Sequence, residues 1–104
     1  MRRSARPGEV RAGLEESLRL TVAALMQATG DSQRSVAEVL GITQTQVSRR
    51  QSGATSWSLR DADVLASHYG IGVLDLLSGP TRACEVLPED RRRGTRPVPK
   101  GAVR

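Results

Sequence analysis

The chain has 104 residues and a formal net charge of +5, which leaves room for one compact domain with tails and not for two domains. Only 38% of the residues are hydrophobic, Phe is absent, and Trp57 and Tyr69 are the two aromatics, so a β-sandwich is disfavoured and a core of Leu, Val, Ile and Ala on helices is expected. A single Cys84 cannot close an intrachain disulfide, and there is no signal-peptide core or run of about 18 apolar residues, so a cytoplasmic protein without membrane association is expected.

Residues 1–9 have no periodicity and contain the breaker Pro7-Gly8, and they read as a flexible basic arm. From about Val10 to Thr29 the residues Val10, Leu14, Leu18, Val22, Leu25 and Met26 step by four and three. This predicts a first amphipathic helix, ended by Gly30, with Leu20 off the stripe and exposed. Asp31 or Ser32 caps the next helix, whose inward face is Val36, Ala37 and Leu40 and whose outward face is Gln33, Arg34 and Glu38. Gly41 permits the positive φ of a sharp turn, and Ile42 plugs the corner. Thr43 with Gln46 three residues later is a capping box, which starts a third helix at Gln44 and runs it to about Ser52, with its stop at Gly53.

After the loop at 53–56, Ser58 and Asp61 cap a fourth helix with Leu59, Ala62, Leu65, Ala66 and Tyr69 on one face and Gly70 at its end. Ile71 fills the following turn, and Val73–Leu77 forms a short fifth helix ended by Ser-Gly-Pro at 78–80. The Pro- and Arg-rich stretch 80–104 carries too few apolar residues to order itself, apart from a short helical turn around Leu87 to Arg92. The expected organisation is therefore a basic arm at 1–9, an all-α five-helix domain at 10–79 with a helix-turn-helix at 32–53, and a flexible basic tail at 80–104.

The third helix separates two faces. Val47 points inward with Arg50 and Gln51 beside it, while Thr45, Ser48, Arg49 and Ser52 share the opposite side and Gln44 sits at the leading end. No acid occurs between Glu38 and Asp61, although Arg49, Arg50 and Arg60 do. Such a positive segment attracts a polyanion, of which nucleic acid is the commonest. Gln bonds bidentately to adenine, Arg to guanine, and a Thr methyl rests against the thymine methyl, so this face has the chemistry of a major-groove reader. A merely solvated face more often carries Glu and Lys, and the plainer reading of the Arg-rich flanks is that they keep a small protein soluble.

The remaining conspicuous residues have plainer readings. Trp57 is expected as a lid between the third and fourth helices, with a DNA or dimer contact as the alternative. His68 reads as a surface residue, and Asp61, Asp63 and Asp75 as residues of caps and exposed faces. One His and one Cys make no constellation for metal or thiol chemistry. No catalytic residue, metal or cofactor is expected.

The segment Ser32 to Gly53, followed by a Trp-Ser-Leu helix start and an Ile-Gly-Val-Leu-Asp-Leu-Leu ending, resembles the Cro/C1 (phage lambda repressor-like, or XRE) family of DNA-binding domains over about residues 12–79. The residues that carry the resemblance are Ser32-Gln33, Val36-Ala37, Leu40-Gly41-Ile42, Gln44-Thr45-Gln46-Val47-Ser48-Arg49 and Gly53. It implies that Gln44, Thr45 and Arg49 read bases with help from Ser48, and that Gln33 meets a phosphate and braces Gln44. It also implies phosphate contacts around Ser52, Thr55 and Ser56. Arg34 and Arg60 join these by charge and exposure, and Gln46 and Arg50 are grouped with the backbone-contacting or bracing residues. The chain departs from the family at Arg50, where relatives place an apolar residue. Its stem is expected near Val47 and Trp57, with its head going to solvent, to Asp61 or to a phosphate. It departs again at Gln51, where relatives often carry Glu paired with a base at the position of Met26.

The resemblance implies a sequence-specific, double-stranded DNA-binding transcriptional regulator, a repressor of the phage or mobile-element type, in the cytoplasm and associated with the nucleoid. One recognition helix reads only about four or five base pairs, so a homodimer on two-fold related half-sites is expected, with Leu74 and Leu77 as candidate dimer residues. Two alternatives stay open: an antitoxin-like module that binds a protein partner and touches DNA for autoregulation, and an accessory factor such as an activator.

Overall fold

The computed structural model describes residues 7–93, with side chains from residue 13 onward. Among these residues there are six α-helices and no strand. Helix α1 spans Pro7–Thr29, α2 Gln33–Leu40, α3 Gln44–Ser52, α4 Leu59–Tyr69, α5 Val73–Leu77 and α6 Pro80–Val86, followed by a 3₁₀ turn at Glu89–Arg91. α1 lies against α3, α5 and α6, while α2 packs on α3 and α4.

The first helix starts earlier than its apolar stripe suggests. Pro7, Gly8 and Glu9 belong to α1 and not to an arm, because a proline in the first turn loses no helical hydrogen bond and already has a helical φ. Residues 1–6 lie outside the described residues, as does the side chain of Val10. Leu18, Val22, Leu25 and Met26 are buried as the period requires, and Leu20 is exposed. Leu14 departs from its expected core position: it is 48% exposed and borders a groove with Leu18, Trp57, Leu59 and Leu77. Thr21 is fully buried, and its hydroxyl donates to the Ser17 carbonyl at 2.8 Å, which satisfies it inside the helix.

The turns are fixed by local chemistry. Ser32, not Asp31, caps α2, its hydroxyl accepting from the Ser35 amide at 3.0 Å. Gly41 has φ +71°, and there the Gly41 and Ile42 amides return to the carbonyls of Glu38 and Ala37. This paired closure needs a residue tolerant of positive φ. Tyr69-Gly70-Ile71 ends α4 in the same way, with bonds to Ser67 and Ala66. Both capping boxes form: Thr43 with Gln46 at 3.1 and 2.8 Å, and Ser58 with Asp61 at 3.0 Å in each direction.

On α4, Ala62, Leu65, Ala66 and Tyr69 are buried, whereas Leu59 is 70% exposed and leaves the core face expected of it. It occupies the first helical position. On α5, Leu76 is fully buried and Leu74 is 75% exposed.

The expected five helices and flexible tail from residue 80 need correction. Pro80–Val86 forms α6, which docks on α1; Ala83 on it is fully buried, and Leu87, just past its end, is 3% exposed. Burying a leucine contributes about 2 kcal/mol. The chain then closes on itself: the Arg93 amide donates to the Ala28 carbonyl at 2.5 Å. Arg91 and Arg92 donate to the carbonyls of His68 and Cys84. Pro88 lies against Gly70, where a Cβ would stand 3.4 Å from its Cγ. Two apolar anchors and backbone-directed arginines suffice where composition alone suggests no order. The remainder of the expected tail, 94–104, lies outside the described residues.

Candidate functional site

The outward face of α3 is held by its inward one. Val47 is fully buried, and Gln44, Thr45, Ser48, Arg49 and Ser52 are all exposed. These five form a continuous strip at helical spacing with no carboxylate in it. Arg49 on this strip, Arg34 on α2 and Arg60 in the first turn of α4 are exposed, and none is paired with another described residue. Chemically the strip offers amide donors and acceptors at Gln44, hydroxyls at Thr45 and Ser48, and a guanidinium fork at Arg49.

The residues expected to support this face divide. Gln33 is half-buried and spans the two helices: its Nε2 donates to Gln51 Oε1 at 2.7 Å, and its Oε1 accepts from Gln44 Nε2 at 3.5 Å. Gln46 is exposed, but its Oε1 is committed to the Thr43 amide and hydroxyl. Ser52 is exposed, but its hydroxyl is engaged by the backbone, donating to the Arg49 carbonyl at 3.0 Å and accepting from the Ala54 amide at 3.3 Å. The Thr55 amide is also spent on the Arg49 carbonyl, at 3.1 Å, which folds the loop back over the end of α3. Ser56 is exposed and Thr55 half-buried. Leu74 and Leu77 are separated: the first is open to solvent, the second lies in the groove beside Leu14 and Leu59.

Arg50 takes one of the three routes open to it. Its Nε meets Asp61 Oδ2 at 3.1 Å, with the side chains 17% and 7% exposed. Its Nη1 reaches the Gln46 carbonyl, and its guanidinium carbon stands 6.0 Å from the Trp57 ring centroid, within cation–π range. Asp61 is therefore not an exposed cap residue. One carboxylate oxygen accepts both the Ser58 amide and Arg50, so a single group starts α4 and ties it to α3. Trp57 is buried as the lid expected of it, and its Nε1 finds no hydrogen bond among the described residues.

Two contacts of Arg19 were not foreseen in the residues. Arg19 Nη1 donates to the Gln51 carbonyl at 3.2 Å, placing a cation at the C-terminal end of α3, where the helix dipole favours it. The same guanidinium grips Glu16 through Nε and Nη2, at 3.1 and 2.5 Å. That hydrogen bond holds the Glu16 carboxyl below its ordinary value and raises Arg19. Gln51 Nε2 lies 3.3 Å from Met26 Sδ, an amide–thioether contact that joins the end of α3 to α1.

His68, expected on the surface, is instead only about one-fifth exposed. Its Nε2 lies 2.8 Å from Asp31 Oδ2, and its ring meets Tyr69 edge-on with centroids 4.7 Å apart. Burial pushes the Tyr69 phenol far up from its ordinary value, and the Asp31 carboxylate adds to the effect. Asp75 is likewise engaged, pairing with Arg82 of α6 at 2.9 Å.

Among the described residues, no group of three or more His, Cys, Asp or Glu is placed to hold a metal ion. Nor is any helix among them long and apolar enough to cross a membrane. Comparison with protein-family models, with characterised proteins and with solved structures finds no match to this chain.

Proposed function

We propose that this protein is a sequence-specific, double-stranded DNA-binding transcriptional regulator of the Cro/C1 type, a repressor that lays α3 in the major groove. The observation that carries the reading is the acid-free strip Gln44, Thr45, Ser48 and Arg49, exposed on a helix pinned from behind by fully buried Val47. Arg49 and Gln44 take the base-reading roles, since a guanidinium and an amide each match two atoms on a base edge. Thr45 and Ser48 fill the positions between them. Arg34 on α2 and Arg60 on α4, both exposed, meet phosphates, which position the domain without reading sequence. Arg50 serves as a brace between α3 and α4, because its guanidinium is already spent on Asp61.

A homodimer on two-fold related half-sites supplies the specificity that one helix lacks. The four exposed leucines, Leu14, Leu20, Leu59 and Leu74, favour some protein contact, whether a second copy or the partner of an antitoxin-like module. The protein acts on the nucleoid in the cytoplasm.

The test is selection of bound sequences from random duplex DNA. The proposal expects enrichment of a short two-fold related motif and weak, strongly salt-dependent binding to all other duplexes. Binding without enrichment, or no binding at low salt, contradicts it.

A further inference from the structure

Met26, Gln51, Gln33 and Gln44 form one line of polar contacts running from the core to the leading end of α3. We infer that Gln51 and Met26 are positioning residues that fix which way the Gln44 amide faces and thereby choose adenine over guanine at the base Gln44 meets. The inference rests on the DNA-reading role proposed above.

A glutamine amide carries an acceptor at Oε1 and two donors at Nε2, and its two ends have nearly the same shape. Left free, it turns either end toward a base. Here the line has a direction, and the direction is set at its buried end. Met26 is 7% exposed, and its thioether accepts but cannot donate. Gln51 therefore turns Nε2 to the sulfur, at 3.3 Å, and has Oε1 left for α2. Gln33 answers with Nε2 at 2.7 Å, which leaves its own Oε1 for α3, and Gln44 meets that oxygen with Nε2 at 3.5 Å.

The consequence lies at Gln44. One of its N–H groups is taken, so one donor and the adjacent acceptor remain. That pair matches the N7 and N6 amino group of adenine. If the line ran the other way, Gln44 would spend Oε1 on Gln33 and keep two donors, the pattern that suits N7 and O6 of guanine. An apolar residue at 51 removes the polarity, and so does an apolar residue at 26. A glutamate at 51 preserves it, because a carboxylate can only accept from Gln33.

Sequence selection from random duplex DNA tests this with the full-length wild type, Gln51→Leu, Gln51→Glu and Met26→Leu. The position to score is the one whose preference disappears in Gln44→Ala. The wild type and Gln51→Glu should select adenine there. Gln51→Leu and Met26→Leu should admit guanine, the adenine-to-guanine ratio falling on the order of tenfold while the other positions keep their preferences. A loss of fold would lower binding to every sequence and would not move one ratio. Wild-type preference for adenine with an unchanged ratio in both Gln51→Leu and Met26→Leu overturns the inference and leaves the DNA-reading proposal standing. A wild type that enriches no sequence overturns both.

Discussion

Between Ser32 and Gly53 each helix end is closed by a residue a few positions away: Ser32 by the Ser35 amide, Thr43 by Gln46, and Gly41 by the carbonyls of Ala37 and Glu38. Between Pro80 and Arg93 the decisive contacts reach far back along the chain. α6 packs on α1, Ala83 and Leu87 join the buried core, Arg93 bonds to Ala28, and Arg91 to His68. The first region is held by short-range chemistry and the second by docking, so the two should respond differently to substitution.

The largest effect is expected where the short-range unit is joined to the rest. Asp61→Ala leaves Arg50 17% exposed beside Trp57 with its carboxylate gone, and also opens the cap of α4. Removing one partner of a buried pair costs about 3–5 kcal/mol, read as a lower denaturant midpoint. A loss no greater than that of an ordinary cap, about 1 kcal/mol, would show that Arg50 finds water or the Gln46 carbonyl an adequate substitute.

Next comes the docked region. Leu87→Ala should cost about 2–4 kcal/mol, and amide exchange should accelerate most in α6 and at Arg93, while α2 and α3 keep their protection. Equal acceleration throughout would mean that α6 melts only with the whole domain, and the contrast between the two regions would disappear. The smallest effect belongs to the capping box: Thr43→Ala should cost about 1 kcal/mol and loosen the start of α3 alone. A change of several kcal/mol would place the turn's stability in long-range packing instead.

The same contrast explains what could be read from the residues. The ends of α2, α3, α4 and α5 follow from capping residues and glycines that stand next to them in the sequence, and the strip on α3 follows from helical spacing. The Arg50–Asp61 pair could be named only as one route among three, because its choice depends on how α3 and α4 meet. α6 was not legible: its fully apolar anchors are Ala83 and Leu87, set among prolines and arginines that resemble a solvated tail. His68–Asp31 and Arg19–Gln51, whose partners stand 37 and 32 positions apart in the chain, leave no local signal. Leu14 and Leu59 fit the apolar period of their helices and yet face solvent, because period alone does not say how far along a helix its neighbours extend.

The central claim, that α3 reads bases with its acid-free strip, is tested most directly by measuring the affinity of the wild type and of Arg49→Ala for the selected duplex and for its single-base variants. The account predicts that Arg49→Ala loses about 1–3 kcal/mol on the selected site, becomes indifferent to the base at one position in each half-site, and binds unrelated duplexes at low salt nearly as the wild type does. Equal losses on every duplex would contradict it, making Arg49 a contact to phosphate and not to a base.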